Sequence, residues 1–393
     1  MATSASQTHC IFARYKHCLC VVRAVETRVQ RHRHELVSSR VKTKNQAGKA
    51  AGVISGIYLL WEAFLLNSAH LRQLAICVHM YKFAKIITFS LRFACELITM
   101  IYDCFLYYDE DLLLELRLNT LHAHVDKFVI VESLYTFTGK RRDKLNFDIE
   151  KFSVFRDQII YVVNDTPPIF YKETFYSNSS LVKAGETDPW ENESTARNSI
   201  MKGLVDAKDN DVIIVSDVDE IPRPEALTRF SRRHICTTLY QNFYNFKFNV
   251  QVLNDDGSPR LCKLPKMFTF KRLKHFFHGQ PELLRNVKRK GTPVRESWWR
   301  WRLLRLRTHI VYDAGWHFSW VMSDDRISEK MATISHTEHN LPEFNNPDHI
   351  RRCVEQNIDI WNRPRKMAIR PVTKELMPDW LVDNQSRFKD FIK

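Results

Sequence analysis

Acidic residues are scarce in two stretches of this 393-residue chain and plentiful elsewhere. Residues 1–49 hold ten Lys or Arg against Glu26 and Glu35, a net of +8. Residues 260–310 hold fifteen against Glu282 and Glu296, a net of +13. Residues 50–100 add +2, so the remainder carries −9 of the overall +14. A nucleic-acid binder more often shows a basic face throughout its folded domain, so this distribution argues against nucleic acid as the partner. Cysteine is sparse, nine residues without C-x-x-C spacing, which speaks against a disulfide framework. Cys18 and Cys20 with His17, His32 and His34 match no standard zinc pattern. Long apolar runs are also lacking outside residues 50–99, and the mean hydropathy of −0.35 excludes a polytopic membrane protein. With 44% apolar and 26% charged residues, the chain is globular with a core, not disordered throughout, collagen-like or coiled-coil.

The first hundred residues stand apart. Residues 1–49 show no steady period and read as a basic, disordered tail. Residues 50–99 read as an apolar to amphipathic helical segment. Its first part, residues 50–71, is about the 20 residues needed to cross a bilayer and follows a basic flank. Glu62 at mid-span would cost about 2.5–3.5 kcal/mol there, and Lys82, Lys85 and Arg92 interrupt a second span. Two readings follow: an anchor giving a type II, Golgi-like membrane placement, or a helix lying on a surface. At Met100 the character changes, and residues 100–393 read as one catalytic-type domain. If Met100 is the true start, the protein is cytoplasmic.

Within that body, Tyr102–Tyr107 is a short apolar strand. Asp109, Glu110 and Asp111 then open a helix carrying Leu112, Leu113, Leu116 and Leu121. Lys127–Glu132 and Ile159–Val163 are buried-type strands. Residues 193–208 form a helix by the spacing of Ala196, Ile200, Met201, Leu204 and Val205, with Arg197 in its first turn. A further strand, Asp211–Ser216, runs into Asp217-Val-Asp-Glu-Ile-Pro222. Strands alternating with helices imply an α/β domain with a mostly parallel central sheet. The region after residue 236, with a turn at Asn254–Gly257, is a mixed half that completes the site.

Asp217 and Asp219 leave the end of a buried strand at the carboxyl edge of the sheet, where open α/β folds bind ligands. Hard oxygen donors there suit Mg²⁺ or Mn²⁺ together with a substrate phosphate. Such a cation neutralises a nucleotide diphosphate as it leaves. Cations of the 260–310 stretch that could serve the same end include Lys271, Arg272, Lys274 and Arg285. Trp298-Trp299-Arg300-Trp301-Arg302 interleaves aromatics with cations, as single-strand binders do, but tryptophan faces also suit a carbohydrate.

The blocks Ile101–Tyr107, Asp126–Ser133, Ser216–Pro222 and Gly315-Trp-His-Phe-Ser-Trp320 together resemble glycosyltransferase family 17, over roughly residues 100–390. Residues 1–99 are then a non-homologous extension. The resemblance implies a GT-A-like nucleotide-sugar fold and an inverting, metal-dependent transfer of N-acetylglucosamine from a UDP-sugar donor. The linkage would be β-1,4, to a mannose of an N-glycan or related glycan. Asp217 and Asp219 would match the D-x-D of that family, with Mn²⁺ (or Mg²⁺) as cofactor and His317 as a further metal ligand. Glu132, Ser133, Arg197 and Asp217 would contact the donor. Inversion needs one general base, for which Glu220 is the first candidate and Glu338 the second. The partners expected are the UDP-sugar, a glycan or glycoprotein acceptor, and a membrane through residues 50–99. The alternative is a non-catalytic binder of anionic polymer on a degenerate transferase fold.

Overall fold

The computed structural model describes residues 99–177, 180–285 and 293–393. The tail expected over 1–49, and all but the last residue of the segment expected over 50–99, lie outside the described residues. Among the described residues no helix is long and apolar enough to cross a membrane.

Two sheets build the body, and the architecture is mixed α/β. The larger has seven strands in the order β13-β8-β12-β6-β1-β2-β3. These are β1 (Ile101–Leu106), β2 (Lys127–Ser133), β3 (Ile159–Asn164), β6 (Val212–Asp217), β8 (Cys236–Leu239), β12 (Lys266–Thr269) and β13 (Thr308–Val311). The β6-β1-β2-β3 half is wholly parallel, while β12 runs antiparallel to both β6 and β8. The second sheet has the order β15-β10-β9-β14-β7, with β11 (Leu261–Cys262) on the side of β9. Its members are β7 (Glu220–Pro222), β9 (Gln241–Asn245), β10 (Val250–Leu253), β14 (Gly315–Ser319) and β15 (Lys366–Ile369). A small hairpin joins β4 (Phe175–Ser177) to β5 (Ser180–Val182).

Sequence and structure agree on the strands to within a residue or two. The parallel strands read as continuous apolar runs because both sheet faces are covered. Phe105 and Ile214 face one core with Leu113, Leu121 and Trp316, whereas Cys104, Ile213 and Val215 face another with Leu273 and Phe277. The turn expected at Asn254–Gly257 is present, with the Asn254 N–H donating to the Ser258 carbonyl and Gly257 at φ +82°.

The helix expected over 193–208 is shifted. It spans Pro189–Asn198, opened by an Asp188 side chain that accepts from the Glu191 N–H and by Pro189 in the first turn. It tightens to a 3₁₀ segment at Ser199–Gly203 and stops. Arg197 therefore sits in the last turn, not the first, and Val205 is 80% exposed. Gly203 passes β2 closely at that point: a Cβ there would lie 2.4 Å from Val129 Cγ1.

One buried ion pair ties helix Asp111–Leu121 to the strand ends. Arg117 shares the i, i+4 face of Leu113 and Leu121, and all three are buried. Its guanidinium donates to both carboxylate oxygens of Asp103 (2.7 and 2.6 Å) and to Ser216 Oγ at 2.6 Å. It also donates to the carbonyls of Asp217 (2.8 Å) and Glu220 (2.9 Å). Asp103 alternates with Cys104 along β1, so it faces the helix. Removing one partner of a fully buried pair strands the other, which costs about 3–5 kcal/mol. Arg117→Met is expected to lose that much stability in urea denaturation. A loss below about 1 kcal/mol, the scale of an exposed pair, would show the clamp to be dispensable.

Candidate active site

The parallel strands β6, β1 and β2 end together at a cavity of about 380 Å³. Leu106, Tyr107, Tyr108 and Asp109 enter it from β1, Ser133 from β2, and Asp217, Val218 and Asp219 from β6. Helix Pro189–Asn198 adds Trp190, Glu193 and Arg197, helix Asp324–Thr333 adds Arg326 and Lys330, and Glu110, Arg285 and His336 also line it. The position follows from topology, because parallel strands deliver every carboxyl end to one rim.

Asp217 and Asp219 leave the strand together but meet different partners. Asp217 Oδ1 accepts from Arg197 at 3.0 Å, and Oδ2 is held by Arg285. Burial pushes its carboxyl up, but the two guanidinium groups outweigh that and hold it below its usual value. Asp219 is more loosely held, with Oδ1 3.7 Å from His317 Nε2 and Oδ2 3.7 Å from Lys330 Nζ. Here too burial opposes ionisation, and His317 and Lys330 hold the carboxyl well below the usual range. Burial likewise disfavours charge on His317, yet Cys262 and Asp219 raise its pKa well above that of ordinary imidazole. His317 reaches this point because β14 pairs antiparallel with β7, setting it opposite Glu220. A Cβ at Gly315 would lie 2.2 Å from the Ile221 carbonyl, so only glycine allows that approach.

Four candidates named from the sequence are absent from the cavity lining: His317, which meets Asp219 from outside it, and Glu220, Glu132 and Glu338. Glu220 is fully buried: both its oxygens accept from Arg285 (2.5 and 2.9 Å), and one also takes the Asp217 N–H at 2.9 Å. A carboxylate enclosed by a guanidinium and a backbone donor is an anchor for Arg285, not a base facing an acceptor. Glu132 is equally buried and accepts from the N–H groups of Asn146 (2.7 Å) and Phe147 (3.0 Å) and from the Tyr161 hydroxyl (2.8 Å). It also pairs with Arg142 at 2.7 Å. It therefore fixes the loop after β2, while its neighbour Ser133 reaches the cavity. Glu338 is at the surface and outside the lining, but its Oε1 lies 2.8 Å from Nδ1 of His336, which does line the cavity.

Of the basic 260–310 stretch, Arg285 lines the cavity. Lys274 pairs with Asp209 at 2.6 Å, and Arg272 donates to the Arg232 carbonyl. Lys271 and the Trp298–Arg302 run are also absent from the lining. Sequence reasoning missed Asp103, Arg117, Glu193, Lys330 and His336. Arg117 left a signal: an arginine on an otherwise apolar helical face. Lys330 left none, since its partners Asp219 and Glu110 are 111 or more positions away.

Stability separates the two carboxylates first considered as bases. Glu220→Gln removes the charge facing buried Arg285 and is expected to cost about 3–5 kcal/mol. Glu338→Gln, at the surface, should stay within about 0.5 kcal/mol. Equal effects in thermal or urea unfolding would contradict this assignment.

Comparison with known proteins adds the family. No curated protein matches the chain. The model of glycosyltransferase family 17 matches residues 75–260, a stretch that holds Glu132, Ser133, Arg197, Asp217, Asp219 and Glu220. The match begins 25 residues ahead of Met100, further toward the N-terminus than the quoted motifs, and ends before His317. Over those residues, just under half of the chain, the protein is similar to glycosyltransferase family 17.

Proposed function

We propose that the protein is an inverting transferase that moves N-acetylglucosamine from UDP-N-acetylglucosamine, in β-1,4 linkage, to a mannose of an N-glycan or related glycan. The observation that carries this reading is the cavity rim, where Asp217 and Asp219 stand among Arg197, Arg285 and Lys330. Such fixed cations stabilise a diphosphate as it departs. The parallel order β6-β1-β2-β3 supports a GT-A-like arrangement, with Ser133, Tyr107 and Tyr108 at the nucleoside end. A type II placement through residues 50–71 would suit an enzyme of N-glycans.

A divalent cation would be held by Asp219 and His317. Both oxygens of Asp219 stand beyond hydrogen-bond length from their neighbours, and His317 turns Nε2 toward one of them at 3.7 Å. Asp217 does not fit as a direct ligand, because Arg197 and Arg285 occupy its oxygens; it positions those two cations instead. Mn²⁺, which tolerates imidazole better than Mg²⁺ does, would supply charge neutralisation to the leaving diphosphate.

The remaining need is a base. Asp109, Glu110, Glu193, Asp217 and Asp219 line the cavity, and each already has a cation within 4 Å. His336 fills the role with Glu338 behind it. Partial burial pushes the Glu338 carboxyl up, but the bond from His336 holds it below its usual value, and that bond fixes the orientation of the ring. The imidazole then takes the proton of the acceptor hydroxyl as that oxygen bonds to the anomeric carbon. The bond from that carbon to the phosphate oxygen breaks, and UDP leaves with the electron pair.

Two experiments test this. UDP-N-acetylglucosamine with Mn²⁺ is expected to raise the melting temperature by mass action, and Asp219→Ala to abolish the shift; an equal shift in the variant would sink the metal assignment. His336→Asn is expected to lower transfer by about 10²–10⁴-fold while donor affinity holds. Unchanged transfer in His336→Asn would overturn the base, whereas a wild type inert to every UDP-sugar would overturn the transferase reading itself.

A further inference from the structure

We propose that helix Trp298–Leu306 docks the domain on an anionic lipid surface. Its sequence with the following residue, WWRWRLLRLR, holds four arginines and no acidic residue. Of the helix, Leu304 is buried, whereas Trp298 is 72% exposed, Trp299 53% and Leu306 73%. At about 100° per residue, Trp298, Leu306 and Trp299 fall within one arc of about 100°, and Leu304 lies opposite. The apolar stripe therefore faces outward, the reverse of a helix whose only task is to pack.

Arg302 lies in the same arc, 5.5 Å over the Trp298 ring, and Arg300 lies 5.0 Å over Trp299. Among the described residues, no carboxylate comes within ion-pair distance of Arg300, Arg302, Arg305 or Arg307. Arg300 and Arg307 turn to the carbonyls of Phe276 and Arg233, so the charge left for an outside partner is that of Arg302 and Arg305. The groove along the helix is lined by Trp298, Trp301, Arg302, Arg305 and Leu306 and shares no residue with the catalytic cavity. It also offers no Asp, Glu, Asn or Gln to bond sugar hydroxyls, so it does not extend an acceptor site. A single-stranded nucleic acid would stack on the indoles, but Leu306 has no ring to offer it. Indole at the headgroup level, leucine below it and guanidinium against lipid phosphate make the set that an interfacial helix uses.

The test is co-sedimentation of the full chain with phosphatidylcholine vesicles, with and without phosphatidylglycerol. Wild type should bind the anionic vesicles at least about tenfold more tightly, with binding weakened by salt. The W298S/W299S/L306S variant should lose that preference while keeping its melting temperature. The proposal is overturned if the variant binds like wild type, if wild type ignores lipid charge, or if a single-stranded oligonucleotide displaces the vesicles. It is also overturned if the variant loses transfer to a soluble acceptor, which would assign the helix to the acceptor site. The vesicle arm decides the matter whether or not the transferase reading stands.

Discussion

A guanidinium sealed from water holds the carboxyl edge of the central sheet together. Arg117 binds Asp103 through both carboxylate oxygens and spends its remaining donors on Ser216 Oγ and on the carbonyls of Asp217 and Glu220. Those carbonyls belong to the bend between β6 and β7. The clamp therefore joins β1, the helix that follows it and the bend that carries both aspartates. A buried pair of this kind adds little net stability, because desolvation offsets the attraction. Its value is geometric: once buried, each donor must be satisfied, and only one course of the Asp217–Glu220 backbone satisfies them all.

The same rule governs the cavity above the clamp. Glu220, on the buried side of the bend, fixes Arg285, which in turn holds Asp217. Glu193 and Asp217 share Arg197. Lys330 stands between Glu110 and Asp219 at 3.8 and 3.7 Å. Charge is nearly balanced within the cavity, and each of these cations already has a carboxylate partner. The contacts of Asp219 and Lys330, at 3.7 to 3.8 Å, are the loosest of these.

How much of this was legible from the residues depended on the kind of residue. Continuous apolar runs marked the parallel strands, since a strand covered on both faces has no polar side to show. The D-x-D after the Val212–Val215 run points to the rim, and the cavity lies there. Ser133, Arg197, Asp217 and Asp219 line it. Glu132 and Glu220 were read as chemical groups because they neighbour the motifs in sequence. Along a strand and its bend, however, neighbours point opposite ways, and both turned inward to Arg142 and Arg285. Helix Pro189–Asn198 begins a few residues earlier than the apolar spacing predicts, because Asp188 and Pro189 open it ahead of the first apolar position of that pattern.

The sequence by itself determined the alternation of strand and helix, the placement of the acidic pair at a strand end, and the concentration of basic charge between residues 260 and 310. These are local properties, set by apolar period and composition. Tertiary structure decided which charges meet: that Arg285 alone of the four cations considered reaches the cavity, that Lys330 and His336 join it, and that Trp298 and Trp299 face outward. Pairing of charges depends on burial and on distances across more than a hundred positions of chain. No window of sequence carries that information, because the energy of each pair is fixed by what surrounds it once the sheets have closed.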